Sequence, residues 1–315
     1  MPDAHRVAQT QCDGHAAREL ISPAGLSASW IPGAGMLCSS LRHRGGELLG
    51  QCGGIAAYVG SGATMGIPLL HPWANRLARR GYNLGGARVE IPRDAKGVHD
   101  DANGLPIHGL MAGCPHWQVR ELAADADSAR LLANLDFAAQ PELMALFPFP
   151  HTLEIEVVLR ESTLSITTTL EASGDVPVPI AFGYHPYFRL PDVPREQWCV
   201  ELPVRRRMRL DARLLPTGET ETARVETGPL GRRVHDDLYT ELEPEPIFSL
   251  AGGARRIEVA FGAACRVAIV HAPADDDVVC FEPMTAPTNP FEGGAALAWA
   301  APGERFSAGF SITVR

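Results

Sequence analysis

The chain has 315 residues, 45% of them hydrophobic, which is enough to bury a sizeable core and excludes a disordered chain. A formal charge of −9, from 37 acidic against 28 basic residues, leaves no cationic footprint for phosphate backbones or anionic lipid, so neither a nucleic-acid nor a membrane partner is expected. Lys96 is the only lysine; it lacks the Gly-Lys-Ser/Thr context of a P-loop and leaves Schiff-base chemistry resting on a single turn residue.

The N-terminus is polar, and no apolar run approaches the ~18 residues of a membrane span, so a soluble, unprocessed, cytoplasmic protein is expected. Seven cysteines, at 12, 38, 52, 114, 199, 265 and 280, show no Cys-x-x-Cys spacing. They read as free thiols, with neither a disulfide framework nor a metal site. Pro141 to Phe147 predicts a short helix with proline at its start, and little else sustains a 3.6-residue period.

Period-two alternation dominates. It predicts strands over Leu153 to Leu159 and Leu164 to Leu170, joined by a hairpin at Arg160 to Thr163, and further strands at Ile257 to Phe261 and Phe306 to Val314. Val204 to Leu210 reads as a strand with a solvated arginine face, although Arg206 falls on the apolar side of the count. With 31 Gly and 26 Pro marking turns, the pattern predicts an all-β, mostly antiparallel sandwich with few short helices. No composition break divides the chain, so one domain over 1–315 is expected, allowing a loose N-terminal extension over 1–20.

Four stretches join polar chemistry to turn residues: 66–81, 103–110, 181–190 and 280–291; a fifth, 234–240, is weaker. His185 and Glu282 each precede a proline and are therefore held on extended backbone. Each ends an apolar run, Val178 to Phe182 and Val278 to Phe281, so each can project from a sheet into a cleft. An imidazole and a carboxylate on opposite sides of a small polar substrate form a general acid and base that need no metal or organic cofactor. The competing reading of His185 is a hydrogen-bonded packing residue among aromatics. A carboxyl wedged at Glu282 faces a desolvation cost unless it is paired or used. Asn75 and Arg76 suit hydroxyl oxygens, but a capping amide and a surface guanidinium explain them equally. His108 precedes a glycine that can let the chain approach a ligand closely. His71, His151 and His271 read as core or surface histidines.

Taken in order, Asn75-Arg76, His108-Gly109, His185-Pro-Tyr-Phe188, Asp236-x-x-Tyr239, Glu282 and the closing Pro302-Gly-Glu-x-Phe306 resemble the aldose 1-epimerase (galactose mutarotase) family, over about residues 20 to 315. The resemblance implies a large galactose-mutarotase-like β-sandwich, a sugar substrate, no cofactor, and a monomer or homodimer. It implies Glu282 as base and His185 as acid, with Asn75, Arg76, His108 and Asp236 binding the sugar. Asp236 is chosen over Asp237 because it stands three residues before Tyr239. Galactose mutarotases typically carry a second glycine after the first His-Gly and a His-Ser/Thr-Tyr-Phe-Asn-Leu stretch; this chain has His108-Gly-Leu and His185-Pro-Tyr-Phe-Arg-Leu, which leaves the sugar open. Alternatives are a hexose-6-phosphate 1-epimerase, with Arg76, Arg79, Arg80 or Arg189 holding phosphate, and a non-catalytic sugar-binding protein on the same fold.

Overall fold

The computed structural model describes residues 4–226, 228–292 and 297–315. Two large antiparallel sheets carry the architecture. One runs in the order Gln118–Ala124, Ala129–Asp136, His151–Arg160, Thr163–Ala172, Arg305–Val314, Arg255–Phe261, Ile247–Gly252 and Cys199–Glu201. Its strands show the expected alternation: Leu153, Ile155, Val157 and Leu159 are fully buried while the residues between them are not. Burying each such side chain contributes roughly 1.5–3 kcal/mol. The hairpin pairs Arg160 with Thr163 across a two-residue turn, as its sequence predicts. The C-terminal strand is not at an edge; it lies between Thr163–Ala172 and Arg255–Phe261.

The second sheet runs Pro216–Thr222, Val204–Leu210, His235–Leu242, Val267–Ala272, Val279–Met284, Gly183–Tyr184 and Leu69–Leu70, with Tyr187–Phe188 also pairing Val279–Met284. Register shifts against His235–Leu242 fall on either side of Arg206, whose guanidinium donates to Thr220 Oγ1 at 2.7 and 3.0 Å. Its neighbours Arg205, Arg207 and Arg209 face solvent and pair with acids, so this basic face is a strand exterior.

Helix is confined to short pieces. Pro141–Met144 forms at the predicted place, and Gly54–Ser61 is a helix that apolar periodicity did not announce. Within 1–20, where a loose extension was allowed, Arg6–Cys12 and His15–Ile21 form a hairpin that continues into Leu26–Ile31, Leu37–His43 and Gly46–Glu47 as a five-stranded sheet. Among the described residues no helix is long and apolar enough to cross a membrane.

Candidate active site

Strand register brings the predicted pair together. Gly183 pairs with Met284 and Tyr187 with Cys280, so the same antiparallel register sets His185 opposite Glu282. Pro283 and Pro186 lack N–H donors, and the ladder is interrupted there between two short strands. The side chains meet in that gap, His185 Nε2 lying 3.3 Å from Glu282 Oε1. Glu282 therefore lies inside a strand, where the sequence alone put it at a strand end.

Cross-strand pairing extends the site into two rows on one face of the sheet. Asp236, His271, Cys280 and Tyr187 form one row; Leu238, Ile269, Glu282 and His185 form the next. Alternation puts the two aspartates on opposite faces of the strand. Asp236 shares the face of Glu282, with its Oδ1 3.9 Å from His271 Nδ1. Asp237 points to the opposite face, where it accepts from Arg207 at 2.9 Å and contacts His235 Nδ1 at 3.0 Å.

Asn75, Arg76 and His108 arrive on two loops laced by backbone hydrogen bonds. His108 N–H donates to Asn75 O at 2.8 Å, Leu77 N–H to Pro106 O at 2.8 Å and Leu110 N–H to His71 O at 2.7 Å. Asn75 and His108 both hold positive φ, 56° and 64°, an uncommon conformation outside glycine that costs about 1–3 kcal/mol and tends to mark functional positions. Gly109 makes a close approach to the chain itself: a Cβ there would stand 2.2 Å from His71 O.

Arg76 is buried, and its Nε donates to Asp101 Oδ2 at 2.8 Å. Burial pushes the Asp101 carboxyl up, but backbone donors Leu105 and Asn103 and the Arg76 guanidinium outweigh it and hold it below the ordinary range. The His108 and His185 rings meet edge to face at 5.3 Å, and His271 approaches His185 at 5.9 Å. Asp101, Tyr187 and His271 were not singled out as site residues from the sequence. The Asp100-Asp-Ala-Asn-Gly104 turn was a readable signal for the first, and the His185-x-Tyr187 spacing of two for the second.

Burial dominates the electrostatics of the Glu282–His185 pair and favours the uncharged form of each. Burial, reinforced by Asp236, raises the Glu282 carboxyl well above the ordinary range, Arg76 opposing. Burial, reinforced by His108 and His271, lowers the His185 imidazole well below its ordinary range. Burial and Arg76 push His108 down to about 3, so it is neutral. A cavity of about 860 Å³ opens at the His271 and Tyr187 end of the rows, and one of about 470 Å³ at the Asp236 end. Among the described residues no three His, Cys, Asp or Glu side chains are grouped as a metal ion would require.

The sequence model of the family described as aldose 1-epimerase matches residues 20–313. The chain belongs to the aldose 1-epimerase family. Its fold is shared with a galactose mutarotase-like protein from Clostridium acetobutylicum, with a TM-score of 0.86, 18% identity and 99% of each chain covered. A galactose 1-epimerase from Lactobacillus acidophilus NCFM aligns with a TM-score of 0.76 at 15% identity, over 99% of this chain and 98% of that one. The uncharacterized protein YihR of Escherichia coli strain K12 is 25% identical over 158 residues. That match covers 48% of this chain and about half of YihR, 47%. Membership in the aldose 1-epimerase family supports an isomerase-type role on a sugar.

Of the residues anticipated from the sequence, Glu282 and His185 are in contact, Asp236 shares their sheet face, and His108 adjoins His185. Asn75 and Arg76 stand on the loop bonded to His108. His71 and His151 are core residues, as expected, with their Nε2 atoms 2.9 Å apart.

Proposed function

We propose that this aldose 1-epimerase family member interconverts the α and β anomers of a free, unphosphorylated aldohexose, with Glu282 and His185 as the acid–base pair. The observation that carries the reading is the buried Glu282–His185 contact on a sheet face shared with Asp236 and adjoined by His108. Glu282, as carboxylate, takes the proton from the anomeric hydroxyl while the His185 imidazolium protonates the ring oxygen; the hemiacetal C–O bond breaks to an open aldehyde. Rotation about C1–C2 presents the other carbonyl face, and the reverse transfers close the ring. Neutral acid plus neutral imidazole and carboxylate plus imidazolium carry the same single proton, so the pair interconverts between them without exchange with solvent. Burial disfavours adding a charge to either neutral member. His108, Asn75, Arg76 and Asp236 bind the sugar hydroxyls and ring-oxygen side.

The arginines that a phosphate would need are engaged or set among acids. Arg76 pairs with Asp101, Arg79 with Glu292 and Arg80 with Asp100. Arg189 lines the larger cavity beside Asp275, Asp276 and Asp277. These carboxylates favour a neutral sugar over a hexose 6-phosphate. A purely binding role has no use for a one-proton pair at the site.

Polarimetry on freshly dissolved α-D-glucose and α-D-galactose, alongside a coupled assay with glucose 6-phosphate, tests the proposal. Acceleration on a free aldose that is lost in Glu282→Gln supports it. Acceleration on the phosphate alone, or on none, overturns it.

A further inference from the structure

The His185 ring lacks the support that usually orients a catalytic imidazole. In acid–base histidines one ring nitrogen is commonly tied to a carboxylate or carbonyl, which fixes the plane while the other nitrogen works. His185 Nδ1 is buried and has no hydrogen-bond partner among the described residues. What touches the ring instead is Tyr187, face to face, with centroids 4.4 Å apart and planes 2° from parallel.

That geometry settles the nature of the contact. Tyr187 Oη is 3.3 Å from His185 Nε2, but in parallel stacked rings such an atom lies over the imidazole face. The N–H and lone pair of a ring nitrogen lie in the imidazole plane, so between parallel rings this contact is poorly aligned as a hydrogen bond and the stack is the larger part of it. The hydroxyl has its own partner, Thr64 Oγ1, at 2.5 Å. Tyr187 is itself 8% exposed and pairs with Cys280, two residues before Glu282. The other ionisable groups facing His185 are Glu282, His108 and His271, and none of them covers that ring face.

We propose that Tyr187 is a positioning residue: its ring, stacked on His185, fixes the imidazole plane so that Nε2 stays aimed at Glu282 and the sugar ring oxygen, and its electron-rich face favours the imidazolium over the neutral imidazole. The kinetic part rests on the mutarotase reading. The stack follows from the aromatic ring, so phenylalanine preserves it and leucine removes it with a similar apolar volume.

The test compares Tyr187→Phe and Tyr187→Leu by saturation kinetics of mutarotation and by NMR titration of histidine-labelled protein without sugar. Tyr187→Phe should keep kcat within about threefold. Tyr187→Leu should lose about tenfold or more in kcat at a KM within about twofold, and His185 should protonate at lower pH than in the phenylalanine variant. Equal kcat in both variants, or a phenylalanine variant as slow as the leucine one, overturns the proposal. Should the wild type not accelerate mutarotation of any aldose, the mutarotase reading fails by itself. The NMR comparison then decides the stack alone, equal titration of His185 in the two variants being the refuting result.

Discussion

Glu282→Gln isolates the proton transfer from the shape of the site. The amide has the volume of the carboxyl and can still meet His185, whose Nε2 lies 3.3 Å from Glu282 Oε1, but it cannot accept the anomeric proton. A positioned general base is worth about 10²- to 10⁴-fold, or about 2.7 to 5.4 kcal/mol at 1.36 kcal/mol per decade. Burial raises the Glu282 carboxyl well above the ordinary range, which strengthens its carboxylate as a base and lowers the share that is ionised, so the middle of that range is expected. Fold stability should fall modestly. Burial already favours the uncharged carboxyl, and the new cost is one buried amide group at the place of Oε2, which has no partner among the described residues. That cost is about 1–3 kcal/mol, or a melting temperature lower by roughly 5 °C. Polarimetric saturation curves give kcat, isothermal titration with the sugar gives affinity, and a thermal melt gives stability. A kcat above a tenth of wild type in a folded variant would falsify the role of Glu282. Loss of sugar affinity by more than about tenfold would move it to binding.

Four further outcomes follow from the same geometry. His185→Asn should lower kcat by at least about a hundredfold with little loss of fold; an unfolded variant would make His185 a packing residue. Arg76→Lys should raise KM about tenfold with kcat less affected, because an ammonium cannot reproduce the guanidinium fork held by Asp101; an unchanged KM would remove Arg76 from substrate binding. Gly109→Ala should destabilise the fold by about 3 kcal/mol, since left-handed strain adds to a Cβ placed 2.2 Å from His71 O; a urea midpoint like the wild type's would contradict the backbone lacing. The buried His71–His151 pair should make stability fall with acid. Burial lowers His71 well below its ordinary value, and lowers His151 to about 4. The unfolded chain therefore binds protons first as pH drops below about 6.5, and the folded state loses up to about 1.36 kcal/mol per pH unit for each histidine until its folded value is reached. Urea denaturation between pH 7 and 5 checks it: His151→Leu should show a shallower loss, and an identical slope would exclude the pair.

The sheets were legible because alternation is a local signal: Leu153 to Leu159 and Phe306 to Val314 announce a buried face without reference to anything distant. Glu282 and His185 were legible as chemistry, since an acid in an apolar run and a histidine among aromatics are costly unless used. Their contact was not, because it depends on a register shared by strands about a hundred residues apart in the chain. The same limit hid His271, which looks like a core histidine until Asp236 and Cys280 flank it across the sheet. Asp101 was hidden because its partner Arg76 comes from another loop. The N-terminal hairpin was read as loose because its residues are mostly polar; backbone pairing with Leu26–Ile31 orders it without a strongly apolar face.

The placement of the last strand also governs how this protein is made. Arg305–Val314 fills a central slot between Thr163–Ala172 and Arg255–Phe261. On a ribosome the chain emerges N-terminus first, and both neighbouring strands are exposed before the segment that joins them exists. Until it arrives, two unpaired inner edges face each other with their backbone donors and acceptors open, the arrangement most prone to capturing strands from other chains. A nascent chain stopped after residue 304 is thus expected to need holdase chaperones, and adding Arg305–Val314 as a synthetic peptide should suppress its aggregation. Loss of Arg305–Val314 would act as an assembly defect well away from the Glu282–His185 contact.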